Sequence, residues 1–297
     1  MEIGLVMPEQ KIALTRELIG ILEGKRYVDL QRDGDLLINL GMKNKVQLQL
    51  LRLLDPLDKL KEEQESAMKD VTRTVCSISK TLVGYDYAFF KLIKPISYVP
   101  ADIDLLVKSD EAGKASRLIV KLGYSIRVKE PYCITLTRGS SIIDVYTYPT
   151  FAGVIYMDGQ VLLESVMNAD FNGVEITSLE GYAEALMSAC HALYKEQVYT
   201  LNDFFTVDKW LSVRSFRLAE KLSCEKALKV AVRLNKLLRE GIIDAPYVVG
   251  FPLWLMLMSS KFHDDRSTGA TLPNALTTLF NRRIGAMVSS RLMRLMC

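Results

Sequence analysis

The stretch Tyr98-Val99-Pro100-Ala101-Asp102-Ile103-Asp104-Leu105-Leu106-Val107 decides how this chain is read. Its β-prone, apolar run predicts a strand. Two acids interrupt that run, and burying an ionised carboxylate is costly unless a cation or several hydrogen bonds compensate it. Because side chains alternate across a strand, Asp102 and Asp104 leave one face together while Ile103 and Leu105 enter the other. A third acid in the same kind of setting stands in Ile142-Ile143-Asp144-Val145-Tyr146.

Carboxylates held that close repel, so the pair is stable mainly with a hard cation such as magnesium between them. A third carboxylate from a neighbouring strand completes a site for two ions. Two such ions, about 3.5 to 4 Å apart, can activate an attacking hydroxyl and stabilise the leaving oxygen of a phosphoryl or nucleotidyl group. The chemistry indicated is nucleotide transfer. An Asp-x-Asp triplet alone recurs by chance, and acids at strand ends are often only solvated; the setting is what strengthens this one.

Outward from the triplet, Tyr87, Phe89 and Lys91 are expected on one face of a preceding strand, with Ala88, Phe90 and Leu92 on the other. Ser109-Asp110-Glu111 reads as the cap and acidic first turn of a helix that runs to Leu122 and is closed by Gly123. Residues 124–128 and 132–137 read as strands, and Gly139-Ser140 turns the second into 141–148 as a hairpin that delivers Asp144 to the sheet.

Taken together, Asp86-Tyr87-Ala88-Phe89-Phe90-Lys91, Lys94-Pro95 and residues 98–107 resemble the core of the polymerase-beta-like nucleotidyltransferase superfamily, most of all its archaeal and bacterial branch. The resemblance covers residues 85–210, under half the chain. It implies an α+β fold with a mixed-sheet core, Mg2+ or Mn2+ as cofactor and an NTP as substrate. In the family the first two acids bind both metals, and the third binds the catalytic one and helps deprotonate the nucleophile. These roles fall on Asp102, Asp104 and Asp144, as catalytic and metal-binding residues. Relatives modify transfer RNA ends, act as the toxin of a toxin-antitoxin pair, or modify small antibiotics or protein hydroxyls, so the acceptor stays open among an RNA end, a protein and a small molecule.

The family usually places a Gly-Ser or Gly-Gly pair at a helix start before the two acids, where backbone amides cradle the triphosphate. No such pair stands between Gly84 and Asp102. Lys91 and Lys94 could instead meet phosphates as point charges, or simply be solvated at a strand end. The segment from His191 to Asp203 resembles the helix and turn that follow the core in the same branch. His191 and Lys195, one helical turn apart, are further nucleotide-binding candidates, although a histidine on such a helix is more often a packing residue.

The 297 residues carry 49% hydrophobic and 25% charged side chains and a net charge of +3, an ordinary globular composition that does not by itself argue for nucleic acid. Five scattered cysteines without a Cys-x-x-Cys pair form neither a disulfide framework nor a zinc site. With two histidines, a His-rich metal centre and a Ser-His-Asp site both lack support. Met1-Glu2-Ile3-Gly4-Leu5 is not a secretion signal, so a cytoplasmic location is expected. The apolar run from Tyr247 to Met258, broken by Pro252, is shorter than a membrane span. It reads as a buried helix, with an interfacial role as the lesser alternative.

The chain divides into an N-terminal helical segment, residues 1–80, a nucleotidyltransferase core, 81–178, and a C-terminal helical domain, 179–297. In the first, Leu14, Leu18, Ile19 and Leu22 recur at helical spacing, as do Val46, Leu50, Leu53 and Leu54, with a break at Asp55-Pro56 and looser joins at Gly34 and Gly41. That segment is assigned no chemistry. In the last, a long helix is expected to start at Ser178-Leu179-Glu180, and methionines such as Met256, Met258, Met293 and Met296 are expected to fill the core. Arg282, Arg283, Arg291 and Arg294 form a basic patch near the end, fit for RNA or merely a solvated helix face. The rival to a metal-dependent transferase is a nucleotide- or RNA-binding module that kept the fold and lost the activity.

Overall fold

The computed structural model describes residues 7–25, 30–54 and 58–280. Four helices come first: α1 (Pro8–Leu22), α2 (Leu30–Lys43), α3 (Gln47–Leu53) and α4 (Asp58–Thr81). The periodic apolar residues of the first three turn inward, among them Leu18, Val46 and Leu50, although Leu53 is exposed. Gly34 and Gly41 do not loosen the chain, since both lie inside α2. A Cβ on Gly41 would stand 3.1 Å from Leu50 Cδ2, so glycine there permits close packing of α2 on α3. Asp55-Pro56 and the arginines from 282 to 294, with Met293 and Met296, lie outside the described residues.

The centre is the expected α+β arrangement, a mixed sheet joined to N-terminal helices and a C-terminal helical region. Strands β1 (Tyr87–Phe90) and β2 (Ile103–Val107), helix α5 (Ala112–Lys121), and strands β3 (Ser125–Lys129), β4 (Cys133–Arg138) and β5 (Ser141–Tyr146) follow in order. A small hairpin, β6 (Thr150–Phe151) with β7 (Val154–Ile155), and a single helical turn, α6 (Gly159–Leu162), lead to β8 (Val166–Phe171) and β9 (Val174–Leu179). The seven-stranded sheet has the order β3-β4-β5-β2-β1-β9-β8. Strand β2 runs parallel to β5 and antiparallel to β1, and β1 is parallel to β9.

Two expected boundaries move. The residues Ser109, Asp110 and Glu111 form the turn before α5 rather than its first turn, and the Glu111 carboxylate accepts a hydrogen bond from Asp86 N–H at 2.8 Å instead of capping the helix. Ser178 belongs to β9, where its hydroxyl donates to Phe89 O at 3.1 Å, and the long helix starts only at Gly181. A polar residue that reads as a helix cap is here a bond between two strands.

The remaining helices are α7 (Gly181–Cys190), a π-helical turn His191–Glu196, α8 (Leu201–Trp210), α9 (Val213–Lys221), α10 (Glu225–Glu240), α11 (Phe251–Asp264) and α12 (Arg266–Phe280), with a two-stranded pair of β10 (Val198–Tyr199) and β11 (Tyr247–Val248) between them. The apolar run from Tyr247 is therefore not one buried helix. Pro252 sits in the first turn of α11, where its missing N–H costs nothing. Leu257 and Met258 are buried while Phe251, Leu255 and Met256 are exposed, so only part of that run is core. Among the described residues no helix is long and apolar enough to cross a membrane.

Strand alternation sorts the sheet residues into two cores. Phe89, Ile103, Leu105, Ile143 and Val145 face α4 and α5, packing with Val75, Ile78 and Ile119. Ala88, Phe90, Leu106 and Tyr146 face the other way, toward α7, the π turn and the C-terminal helices. Asp104 pairs in register with Phe90 on one side and Asp144 on the other, so both acids point to this second face.

The N-terminal helices are fastened across that face by Asn44, in the turn between α2 and α3. Its amide donates to Leu40 O at 3.0 Å and Ala245 O at 3.1 Å, and its carbonyl oxygen accepts from Leu201 N–H at 3.0 Å. Asn202 N–H donates to Asn44 O in return, and the Asn202 amide to Lys45 O. Asn44 is fully buried. Asn44→Ala would leave a buried donor and acceptor without partners, and is expected to lower unfolding free energy in urea by on the order of 2 to 4 kcal/mol; a loss within 0.5 kcal/mol, roughly the scatter of surface substitutions, would show the fastening to be dispensable.

Candidate functional site

The second face of the sheet carries the three acids. Asp104, the second residue of β2, is 3% exposed, while Asp102 just before the strand and Asp144 in β5 are half-buried. Each offers a carboxylate oxygen, and the three oxygens lie within 4.8 Å of one another. The expectation that these acids converge is thus met. Their chemistry fits a hard divalent cation, and one atom points to it directly: Asp104 Oδ1 is buried with no hydrogen-bond partner.

The other oxygen, Asp104 Oδ2, is 2.6 Å from Lys91 Nζ. The route by which Lys91 gets there is not the strand alternation the sequence predicts. Strand β1 ends at Phe90, and Lys91 adopts φ 58°, a left-handed conformation that costs a non-glycine residue free energy. That turn breaks the alternation which would have placed Lys91 with Tyr87 and Phe89, and brings its ammonium to the acids' face. The main chain there is clamped on both sides. Lys91 N–H donates to the two Glu184 carboxylate oxygens at 3.0 Å each, and the Tyr98 hydroxyl donates to Lys91 O.

Glu184 is itself 2% exposed and is neutralised by Lys94, whose ammonium donates to it at 2.6 Å and also to Ser188 Oγ. Neither lysine is solvated, since Lys91 is 14% exposed and Lys94 3%. His191 accepts from Lys91 Nζ through Nε2 at 3.2 Å. An ammonium can only donate, so the neutral ring carries its proton on Nδ1, which donates to the Tyr156 hydroxyl at 3.1 Å. Burial, and then the Lys91 charge, hold the His191 pKa well below the usual imidazole range, in keeping with that tautomer.

Asp144 is oriented by hydroxyls. Thr135, its register partner on β4, donates to Oδ1 at 2.6 Å, and Tyr146 donates to Oδ2 at 3.4 Å. Lys195 in turn donates to the Tyr146 hydroxyl at 2.8 Å. Thr135 could have been found from sequence: a two-residue Gly139-Ser140 turn pairs Arg138 with Ser141, and counting back places Thr135 opposite Asp144. Glu184, ninety-odd residues from the lysines it holds, gives no such signal.

Two cavities meet at Asp102, Lys91 and His191. The smaller, about 120 Å³, is lined by Lys94, Tyr98, Asp104, Ser188 and Asp203 among others. The larger, about 700 Å³, is an open cleft over Asp144, Glu130, Thr135, Arg127, Lys195 and Glu196. All seven residues singled out from the sequence, Asp102, Asp104, Asp144, Lys91, Lys94, His191 and Lys195, border one or both of them.

No protein-family model matches the chain, and no curated protein matches it. Two solved structures are similar to part of it. One is ANT(2")-Ia in crystals with adenylyl-2"-tobramycin, at 13% identity over 59% of this chain and 95% of that one, with a TM-score of 0.31. The other is the antibiotic-resistance factor ANT(2'')-Ia in solution, at 11% identity over 60% of this chain and 92% of that one, with a TM-score of 0.32. Likenesses this shallow carry no argument; the site's own geometry has to.

Burial raises the Asp104 pKa to about 7 from an ordinary 3.8, against the opposing pull of Lys91 and with repulsion from Asp102. Burial lowers the Lys91 pKa, but the Asp104 and Asp102 carboxylates outweigh it and leave Lys91 raised and charged. An acid with a raised folded-state pKa contributes stability that is full below its unfolded value and is lost as pH rises through the folded one. In chelator, melting of the parent should therefore fall between pH 5 and 8 by roughly 2 to 3 kcal/mol more than melting of Asp104→Asn. Equal slopes for the two proteins would show that Asp104 ionises normally. Added magnesium should bind more tightly as pH rises through 7, with proton release.

Proposed function

We propose that this chain is a metal-dependent nucleotidyltransferase of the polymerase-beta-like kind, which moves a nucleoside monophosphate from an NTP to an acceptor hydroxyl on RNA, a protein or a small molecule. The observation that carries the reading is the convergence of three carboxylates within 4.8 Å around a buried Asp104 oxygen that has no partner. A protein that merely kept the fold has no need of three acids held against their mutual repulsion.

Asp102, Asp104 and Asp144 would hold Mg2+ or Mn2+, which when bound neutralises the charge that develops on the transferring phosphate. The acceptor oxygen bonds to the α-phosphorus as that phosphorus loses its bond to the bridging oxygen, and pyrophosphate leaves with the bonding pair. The hydroxyl proton passes to Asp144, whose carboxylate is kept in one orientation by the Thr135 and Tyr146 hydroxyls. Lys91 touches a metal-site acid and borders both cavities, which makes it the better phosphate ligand. Lys94 contributes from beneath, since its ammonium is held by Glu184 and Ser188. His191 supports Lys91, and Lys195 borders the cleft where a nucleotide would lie.

One observation favours the inactive-module reading: among the described residues no helix lies between β1 and β2, so no helix N-terminus stands there to cradle a triphosphate. Incubation with each α-labelled NTP, magnesium or manganese, and RNA, protein and small-molecule acceptors separates the two. Labelled transfer is expected for the parent, with at least a roughly hundredfold loss in Asp104→Asn and Asp144→Asn. Lys91→Ala should weaken binding of a non-hydrolysable NTP by about 1 to 3 kcal/mol. Metal-dependent NTP binding without transfer to any acceptor would leave the binding module as the answer, and transfer by Asp104→Asn at the parent's rate would overturn the metal mechanism.

A further inference from the structure

We infer that Lys45, in the turn between α2 and α3, is a phosphate-binding residue that meets the terminal phosphates of the nucleoside triphosphate. The inference rests on the transferase reading and assigns a part of the substrate to the N-terminal helices, where the sequence shows no chemistry.

Three observations converge on this residue. Lys45 borders both the small cavity and the large cleft, as do Lys91, Ala101, Asp102 and His191. Of the three lysines around the small cavity, Lys91 is paired with Asp104 and Lys94 with Glu184, while among the described residues Lys45 has no ion-pair partner. It is the cation there whose charge is not already spent on a carboxylate. Its backbone is also left-handed, at φ 55°, in a turn that Gly or Asn would fill with less strain.

Strain of this kind persists only where the surroundings fix it, and here they do. Asn44 is held by Leu40, Leu201 and Ala245, and the Asn202 amide holds Lys45 O. The exposed Lys45 side chain takes no part in that fastening. A strained lysine whose main chain is pinned and whose side chain is left at the junction of two cavities matches Lys91, the other left-handed lysine of the site.

The cavities divide the substrate between them. The small one has Lys45, Lys91 and Lys94 in its lining and is of a size for a pyrophosphate group, and the large one has room for a nucleoside and an acceptor. A triphosphate whose α-phosphate lies at the three acids then turns its terminal phosphates toward Lys45, Lys91 and Lys94. Three ammonium groups, one from the α2–α3 turn and two from the connection between β1 and β2, take the place of a row of backbone amides, as point charges with adjustable reach.

Binding of α,β-methylene triphosphates of the four common nucleosides, with magnesium, compared with the four monophosphates, tests this on the full chain. Lys45→Gly suits the backbone angle and keeps the fold, as a melting curve checks. It should bind the preferred triphosphate roughly tenfold to a hundredfold more weakly while its monophosphate affinity stays at the parent's level. Lys45→Arg should keep most of the triphosphate affinity. Triphosphate affinity unchanged in Lys45→Gly, or an equal loss for the monophosphate, would overturn the assignment of Lys45. A parent protein that binds no triphosphate at all would overturn the transferase reading itself, and this inference with it.

Discussion

The clamp of Glu184 on the main chain of Lys91 is the interaction on which the site depends. A carboxylate in the middle of a buried strand needs a cation, and Asp104 has Lys91 at 2.6 Å. That cation arrives only because the chain turns left-handed one residue after β1, a conformation that a lysine does not adopt without support. Glu184 supplies the support by accepting two hydrogen bonds from Lys91 N–H, and Tyr98 closes the other side. The charge of Glu184 is in turn met by Lys94. Each buried charge has an opposite one beside it, in a chain Lys94, Glu184, Lys91, Asp104 that ends at the acids. Removal of Glu184 or Lys94 would leave the other as an uncompensated buried charge, which costs far more than the pair contributes.

What the sequence disclosed follows from what local chemistry can encode. The period of two in 98–107 placed Asp102 and Asp104 on one face, and the Gly139-Ser140 turn delivered Asp144, because both signals are carried by adjacent residues. Strand alternation points Lys91 to the wrong face, since nothing in the residue type announces a positive φ when the residue is not glycine. Ser178 reads as a helix start because a serine hydroxyl serves equally there or on a strand carbonyl, and only the parallel neighbour β1 decides between them. In α11, half of an apolar run is exposed, which a row of Leu, Trp and Met could not foretell.

The residues that orient the candidate ligands were harder to find than the ligands. Thr135 was within reach by counting around the hairpin. Tyr146, two residues along the strand from Asp144, was within reach by alternation. Glu184 and Lys45 were not, since each acts through contacts made only when distant segments meet. The sequence thus disclosed the acids through their cost and concealed the groups that offset it.

The fastening of Asn44 has a consequence for how the protein comes into being. Its partners Leu201 and Ala245 are 157 and 201 residues further along the chain. A ribosome delivers the N-terminal helices before those partners, so the turn that carries Lys45 has nothing to dock on until both partners have been made. The β strands with the three acids are complete by residue 146, well before that. An emerging chain therefore acquires its acid-bearing strands first and the residues that hold the opposite wall of the cleft afterwards, so that a nascent polypeptide passes through a stage in which it is half a site.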